Sequence, residues 1–209
     1  RGNRMKIESD TVEITSGVRY GKTLGSPLTL IVANRDNKNW KSVMSIESND
    51  DPKSRQRRAV QRPRPGHADL VGGIKYHHED LRNVLERSSA RETAMRVAIG
   101  SVAKQLLNEL DIEIVAYVCE LGGIQGQADI SKLSLTDIRK LADKSPVKMV
   151  DSSQEEAVIQ KIDQTKRDGN TLGGVVEVIA EGLPIGLGSY TQFDKKLDGR
   201  LAQAMMSIN

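Results

Sequence analysis

The 209-residue sequence is poor in several groups that common functions depend on, beginning with its single cysteine, Cys119, and its three histidines. One thiol excludes an internal disulfide framework, and the apolar run from Ile112 to Leu121 around it predicts a buried, inert side chain. His77 and His78 lie in a charged segment with no Cys or third His at ligand spacing, so no metal site is expected. Aromatic residues make up only 3% of the chain, with one Trp and one Phe, which argues against base-stacking platforms for nucleic acid. No apolar run approaches the roughly 18–20 residues that cross a bilayer, no signal peptide is visible in these residues, and no membrane partner is expected. There is no GxGxxG before a helix and no GK[ST], so the glycines from Gly169 to Gly188 read as tight turns and close strand packing. An excess of one charge sign is lacking too: 31 basic against 28 acidic residues leave a net charge of +3, too little by itself to imply nucleic acid.

The chain also lacks an initiating methionine, and it stops at Asn209 after an apolar, helix-like run with no capping Gly or Pro, which predicts an excised part of something longer. With 37% hydrophobic residues it can bury a substantial core, and its length falls between one large domain and two small ones.

What is present alternates between strand and helix patterns. Met5 to Arg19 predicts one or two strands ending at a glycine-bounded turn, Gly21 to Gly25, and Pro27 to Ala33 reads as a short buried strand. Residues 34–66 form a polar, basic excursion expected to be a mobile loop. Ser89 and Glu92 have the spacing of a capping box. Behind it Ala94, Val97, Ala98, Ser101, Val102, Leu106, Leu107 and Leu110 predict a helix of about five turns, buried on one side. Ile112 to Leu121 reads as a strand closed by Gly122 and Gly123, Leu133 to Ala142 and Ser153 to Arg167 as helices, the latter with a capping box at Ser153 and Glu156. Val175 to Ala180 predicts a strand and Asp194 to Ile208 a helix. Strands and helices interleave without a regular βαβ rhythm or repeat, which predicts an α/β, α+β-like layered sandwich of helices and sheets.

The chemistry concentrates between Arg62 and Glu92. Pro65 and Gly66 set a turn before His67, and Asp69 two residues later is a candidate acceptor for fixing its tautomer. Arg87, Ser88 and Ser89 stand at the expected start of a helix, where an arginine and two hydroxyls suit a phosphate. Arg91, a cation in the first turn, opposes the helix dipole and calls for an anion or acid nearby. Lys53, Arg55, Arg57, Arg58, Arg62 and Arg64 would make an electropositive mouth beside His67, with Arg1 and Arg4 as further contributors.

Taken together, these segments resemble the chorismate synthase family. The resemblance rests on RGNRM (Arg1 to Met5), GVRYGKTLG (Gly17 to Gly25), RPGHADLVGG (Arg64 to Gly73) and ERSSARETAMR (Glu86 to Arg96). TLGGVVE (Thr171 to Glu177), Gly186 to Gly188 and DKKLDGRLAQAMMS (Asp194 to Ser207) follow in the family's order. It implies a lyase that converts 5-enolpyruvylshikimate 3-phosphate to chorismate and phosphate by anti 1,4-elimination, the last step of the shikimate pathway. Reduced FMN is required without net redox change. The resemblance further implies that His67 protonates the reduced flavin, that Arg87, Ser88, Ser89 and Asn209 contact it, and that Arg1, Arg64 and Arg91 serve substrate or NADPH. A cytoplasmic homotetramer and a small phosphorylated substrate are implied as well.

The sequence departs from the family at both ends. The N-terminal Gly-Glu-Ser-His-Gly segment with a second histidine is absent, as is the C-terminal part with further flavin contacts, a substrate arginine and an acid. The chain therefore reads as a single incomplete domain over residues 1–209, not competent alone and exposing apolar surface. The alternative from a different class is a basic module that binds nucleic acid or another anion through Lys53 to Arg64 without catalysis.

Overall fold

A computed structural model of the chain describes residues 10–47, 53 and 58–208. The described residues fall into two compact units, one ending at Val102 and the other running from Ala103 to Ile208.

In the first unit the alternation around Ile14 produces β1 (Val12–Ser16). A small hairpin follows, β2 (Val18–Arg19) paired antiparallel with β3 (Lys22–Thr23). Its turn is made by Tyr20 and Gly21 at φ 51° and 74°, the left-handed pair that matches the twist of the flanking strands. The expected turn from Gly21 to Gly25 thus contains a strand. β4 (Thr29–Val32) returns against β1, with Val12 opposite Val32 and Ile14 opposite Leu30. The buried strand expected over Pro27 to Ala33 is corrected here, since β4 alternates between exposed and half-buried residues. β-branched residues report a preference for pleated backbone, whereas burial on both faces needs a layer on each side.

Residues 35–39 form a 3₁₀ turn, capped by the Asn34 side chain, which accepts from the Asp36 N–H. Two short helices that the sequence pattern does not predict follow, α1 (Asp69–Tyr76) and α2 (Arg82–Arg87). Their packing explains the glycine pair. A Cβ on Gly72 would lie 2.5 Å from Val84 Cγ1, and one on Gly73 the same distance from Leu81 Cδ2, so only hydrogen lets the two helices approach. α3 (Thr93–Asn108) begins behind a 3₁₀ turn at Ala90–Glu92. Its apolar stripe is not buried as expected: Ala98 is covered, but Val97 is 72% and Leu106 65% exposed. Periodicity gives a helix an apolar face; only a neighbour can bury it.

The second unit follows the sequence pattern closely. β5 (Glu113–Leu121) turns through Gly122 and Gly123, both at positive φ, into β6 (Ile124–Gln125). α4 (Leu135–Lys144) and α5 (Glu155–Arg167) precede β7 (Gly174–Glu181), and α6 (Leu197–Met206) closes the unit. The sheet order is β6-β5-β7, antiparallel throughout, with Val115 opposite Ile179 and Tyr117 opposite Glu177. Val115 and Tyr117 pack against Leu135, Ile138 and Ala142, which α4 presents at helical spacing, and against Val150. Each such large apolar side chain contributes about 1.5–3 kcal/mol by leaving water. A helix layer on an antiparallel sheet is the layered α/β arrangement the sequence predicts.

Two local expectations change in this unit. The cap ahead of α5 is Asp151, whose Oδ1 accepts from the Ser153 N–H at 2.9 Å, in place of the Ser153 and Glu156 box. Cys119 is half-buried and its Sγ donates to the Val175 carbonyl at 3.3 Å, so it is neither fully covered nor free of polar contact.

Candidate functional site

His67 stands on the turn that leads into α1, and that turn is held from below by Asp69. The Asp69 side chain is fully buried and accepts from Arg64 Nε at 2.8 Å, from Arg64 Nη2 at 3.0 Å and from the Arg64 N–H at 3.0 Å. The Arg64 hydrogen bonds hold the Asp69 carboxyl down at about 2, well below the usual carboxylate range. Gly66 supplies the positive φ of 70° that reverses the chain between the two partners.

His67 itself is exposed, and its Nδ1 lies 3.0 Å from the Pro65 carbonyl oxygen. Because a carbonyl only accepts, Nδ1 carries the hydrogen and Nε2 is left to exchange a proton with a ligand. The acceptor that sets the tautomer is therefore Pro65 O, and Asp69, the acceptor expected from sequence, is committed to Arg64.

α1 and α2 bring the second half of the site against His67. The helix N-terminus expected at Arg87 to Ser89 is in fact a junction: Arg87 is the last residue of α2, Ser88 closes that helix by donating its N–H to Val84 O at 3.0 Å, and Ser89 caps the turn before α3. Ser89 Oγ accepts from the Arg91 N–H at 3.2 Å. Glu92 does not complete a capping box; its carboxylate binds Arg96 Nε at 2.9 and 3.0 Å.

A cleft of about 430 Å³ opens at this junction. His67, between Gly66 and Ala68, forms one part of its lining, and Arg87, Ser88, Glu92 and Arg96 form the rest. Its size lies within the range of small-molecule sites, ~300–1,000 Å³. Glu92 offsets the charge of Arg96, which among the described residues of the lining leaves Arg87 as the cation that sets the sign of the cleft. A guanidinium and a hydroxyl are the donor set for a phosphate or carboxylate, and the His67 Nε2 alongside accepts a proton when the ring is neutral and donates one when it is imidazolium. This donor set fits the anionic part of a flavin mononucleotide or of a phosphorylated substrate.

Of the residues singled out from sequence, the structure brings together His67, Arg87 and Ser88. Ser89 serves the backbone. Arg64 belongs to Asp69, and Arg91 is held by both oxygens of Asp10, the nearby acid that its place in the first turn called for. Neither arginine lines the cleft. Arg1, Arg4, Arg55, Arg57 and Asn209 lie outside the described residues. Glu92 and Arg96 were missed as site residues, although Ser88, Glu92 and Arg96 recur at intervals of four, the spacing that stacks side chains along one helical face. Among the described residues no group of three or more His, Cys, Asp or Glu could hold a metal ion, and no helix is long and apolar enough to cross a membrane.

Comparison with known proteins gives a consistent result along the whole chain. The family model for chorismate synthase matches residues 1–209. The chorismate synthase of Enterococcus faecalis is 60% identical over 209 residues, covering 100% of this chain and 53% of that protein. Chorismate synthase 2 of Bacillus cereus is 56% identical over 210 residues, covering 100% of this chain and 54% of that protein. A crystal structure of chorismate synthase superposes with a TM-score of 0.75 at 40% identity, covering 99% of this chain and 55% of that one. The chain thus spans about half the length of the curated relatives it matches.

Proposed function

The chain belongs to the chorismate synthase family, and from that premise we propose that it serves conversion of 5-enolpyruvylshikimate 3-phosphate to chorismate and phosphate. The observation that carries this reading is the cleft in which His67 faces Arg87 and Ser88. Reduced FMN, when bound, supplies the transient electron density that helps phosphate leave. The residues of this chain bind and orient around it. Arg87 and Ser88 hold an anionic group by a charge-assisted bond and a hydroxyl bond. His67, with Nδ1 tied to Pro65 O, delivers or holds a proton at Nε2 beside the bound flavin.

Arg64 and Arg91 are paired with Asp69 and Asp10 and do not line this cleft, so we assign anion binding in it to Arg87. The roles of Arg1 and Asn209 toward substrate, NADPH or flavin are carried by the family resemblance alone, as are a cytoplasmic location and a homotetramer. In the rival reading, a basic nucleic-acid module, two of the cations already have partners within the chain. Arg58 donates to Asn39 O at 3.1 Å and stacks on Trp40, and Arg64 is spent on Asp69.

The test is single-turnover phosphate release by the intact protein with chemically reduced FMN and 5-enolpyruvylshikimate 3-phosphate, repeated with NADPH and oxidised FMN. Release with reduced FMN is expected. Its absence, together with salt-dependent binding of a random DNA duplex, would return the reading to the basic module.

A further inference from the structure

The only tryptophan of the chain, Trp40, is enclosed by charge instead of by a core. The guanidinium carbons of Arg58 and Arg82 lie over its ring at 4.2 and 4.9 Å from the centroid. Its Nε1 donates to Asp36 Oδ2 at 2.8 Å. Arg82 also forks onto the Arg58 carbonyl, with Nε at 3.1 Å and Nη2 at 2.9 Å. Backbone bonds lock the same place: Asp80 Oδ1 accepts from the Val60 and Arg82 N–H groups, and the Leu81 N–H donates to Val60 O at 2.9 Å. Three pieces of chain distant in sequence, around residues 36–40, 58–60 and 80–82, are thereby joined around one indole.

The clasp grips one end of a helix whose other end is in the cleft. Arg82 is the first residue of α2 and Arg87 the last. Six residues form a single rigid span of about 9 Å, too short to be stable unless something outside holds it. On one side α2 is pinned by Val84 against Gly72, and at its start by Trp40 and Arg58 through Arg82. We propose that Trp40, with Arg58 and Arg82, is a positioning clasp that fixes α2 and so aims the Arg87 guanidinium at the anion in the His67 cleft. This rests on the reading of that cleft as an anion and proton site. Cation–π contacts and a forked guanidinium bond are both directional, so they fix the rotation of α2 as well as its place.

Two measurements on the intact protein separate the clasp from the function it serves. Hydrogen exchange without ligand is expected to speed up by about tenfold or more at the amides from Arg82 to Ser88 in Trp40→Ala, with the α3 amides unchanged. Unaltered exchange in that segment overturns the clasp whatever the enzyme does. In steady-state kinetics, Trp40→Ala is expected to raise KM for 5-enolpyruvylshikimate 3-phosphate about tenfold with kcat changed less than about twofold, and to have no added effect in an Arg87→Ala background. Effects that multiply in the double variant overturn the route through Arg87. If wild-type protein shows no turnover, the functional reading fails, and exchange still decides the clasp. Trp40→Phe retains a ring for both arginines and loses only the bond to Asp36, so it is expected to recover most of the KM; should Trp40→Ala not fold, Trp40→Leu takes its place, filling the space without an aromatic face for Arg58 and Arg82.

Discussion

The Nδ1 atom of His67 lies 3.0 Å from the carbonyl oxygen of Pro65, and this one contact decides which face of the imidazole is chemically available. A histidine two residues from an aspartate suggests a carboxylate-oriented base, but here the carboxylate has turned away to Arg64. The backbone of a proline turn takes over the orienting role.

His67→Ala in the intact protein is expected to lower kcat by about 10²–10⁴-fold, the usual worth of a positioned proton donor, while flavin affinity changes little. Turnover is read by chorismate absorbance and affinity by flavin titration. Unchanged turnover would remove the proton role.

Asp69→Asn keeps the shape of the side chain and removes the charge that Arg64 binds, so the turn carrying His67 should loosen and Tm should fall by several degrees. The acid dependence has a definite sign. Folding depresses the Asp69 carboxyl to about 2 from an unfolded value of about 3.9, so the folded state binds fewer protons in that interval. Its contribution is complete above about pH 5 and is lost as pH falls toward about 2. Urea unfolding at a series of pH values should show a shallower acid limb in Asp69→Asn.

Gly72→Ala would place a methyl 2.5 Å from Val84 Cγ1 and force α1 from α2, at a cost of about 1–3 kcal/mol. Val84→Ala in the same protein should return part of that stability by vacating the space. Chemical denaturation of the single and double variants reads both effects, and simple additivity would show that the two helices do not meet there.

Tyr117→Phe removes the 2.7 Å bond from the buried phenol to Glu177 Oε2 across β5 and β7. Glu177 is exposed, so its carboxylate regains water and the loss should be only about 0.5–1.5 kcal/mol. Burial first, and the Glu177 bond second, push the Tyr117 hydroxyl upward, so an alkaline absorbance titration should lose no early-ionising tyrosine in this variant.

The sequence alone determined the longer strands and helices of the second unit, because there each pattern is local and the apolar stripe of α4 meets the face of β5. β5, α4, α5 and β7 all fall where periodicity places them, and Leu135, Ile138 and Ala142 are buried as their spacing demands. It also determined the family and the pairing of a histidine with Arg87 and Ser88, since those residues stand in short continuous motifs. Tertiary structure decided what depends on distant partners. Whether Arg64 and Arg91 face a ligand or a carboxylate turned on Asp69 and Asp10, the latter 81 residues away in sequence. That Gly72 and Gly73 belong to a helix became visible only with Val84 and Leu81 pressed against them, because glycine has poor helix propensity until close packing compensates for it. The place of Trp40 was equally hidden: a lone indole in a polar stretch has no periodicity, and only the return of Arg58 and Arg82 gives it a purpose.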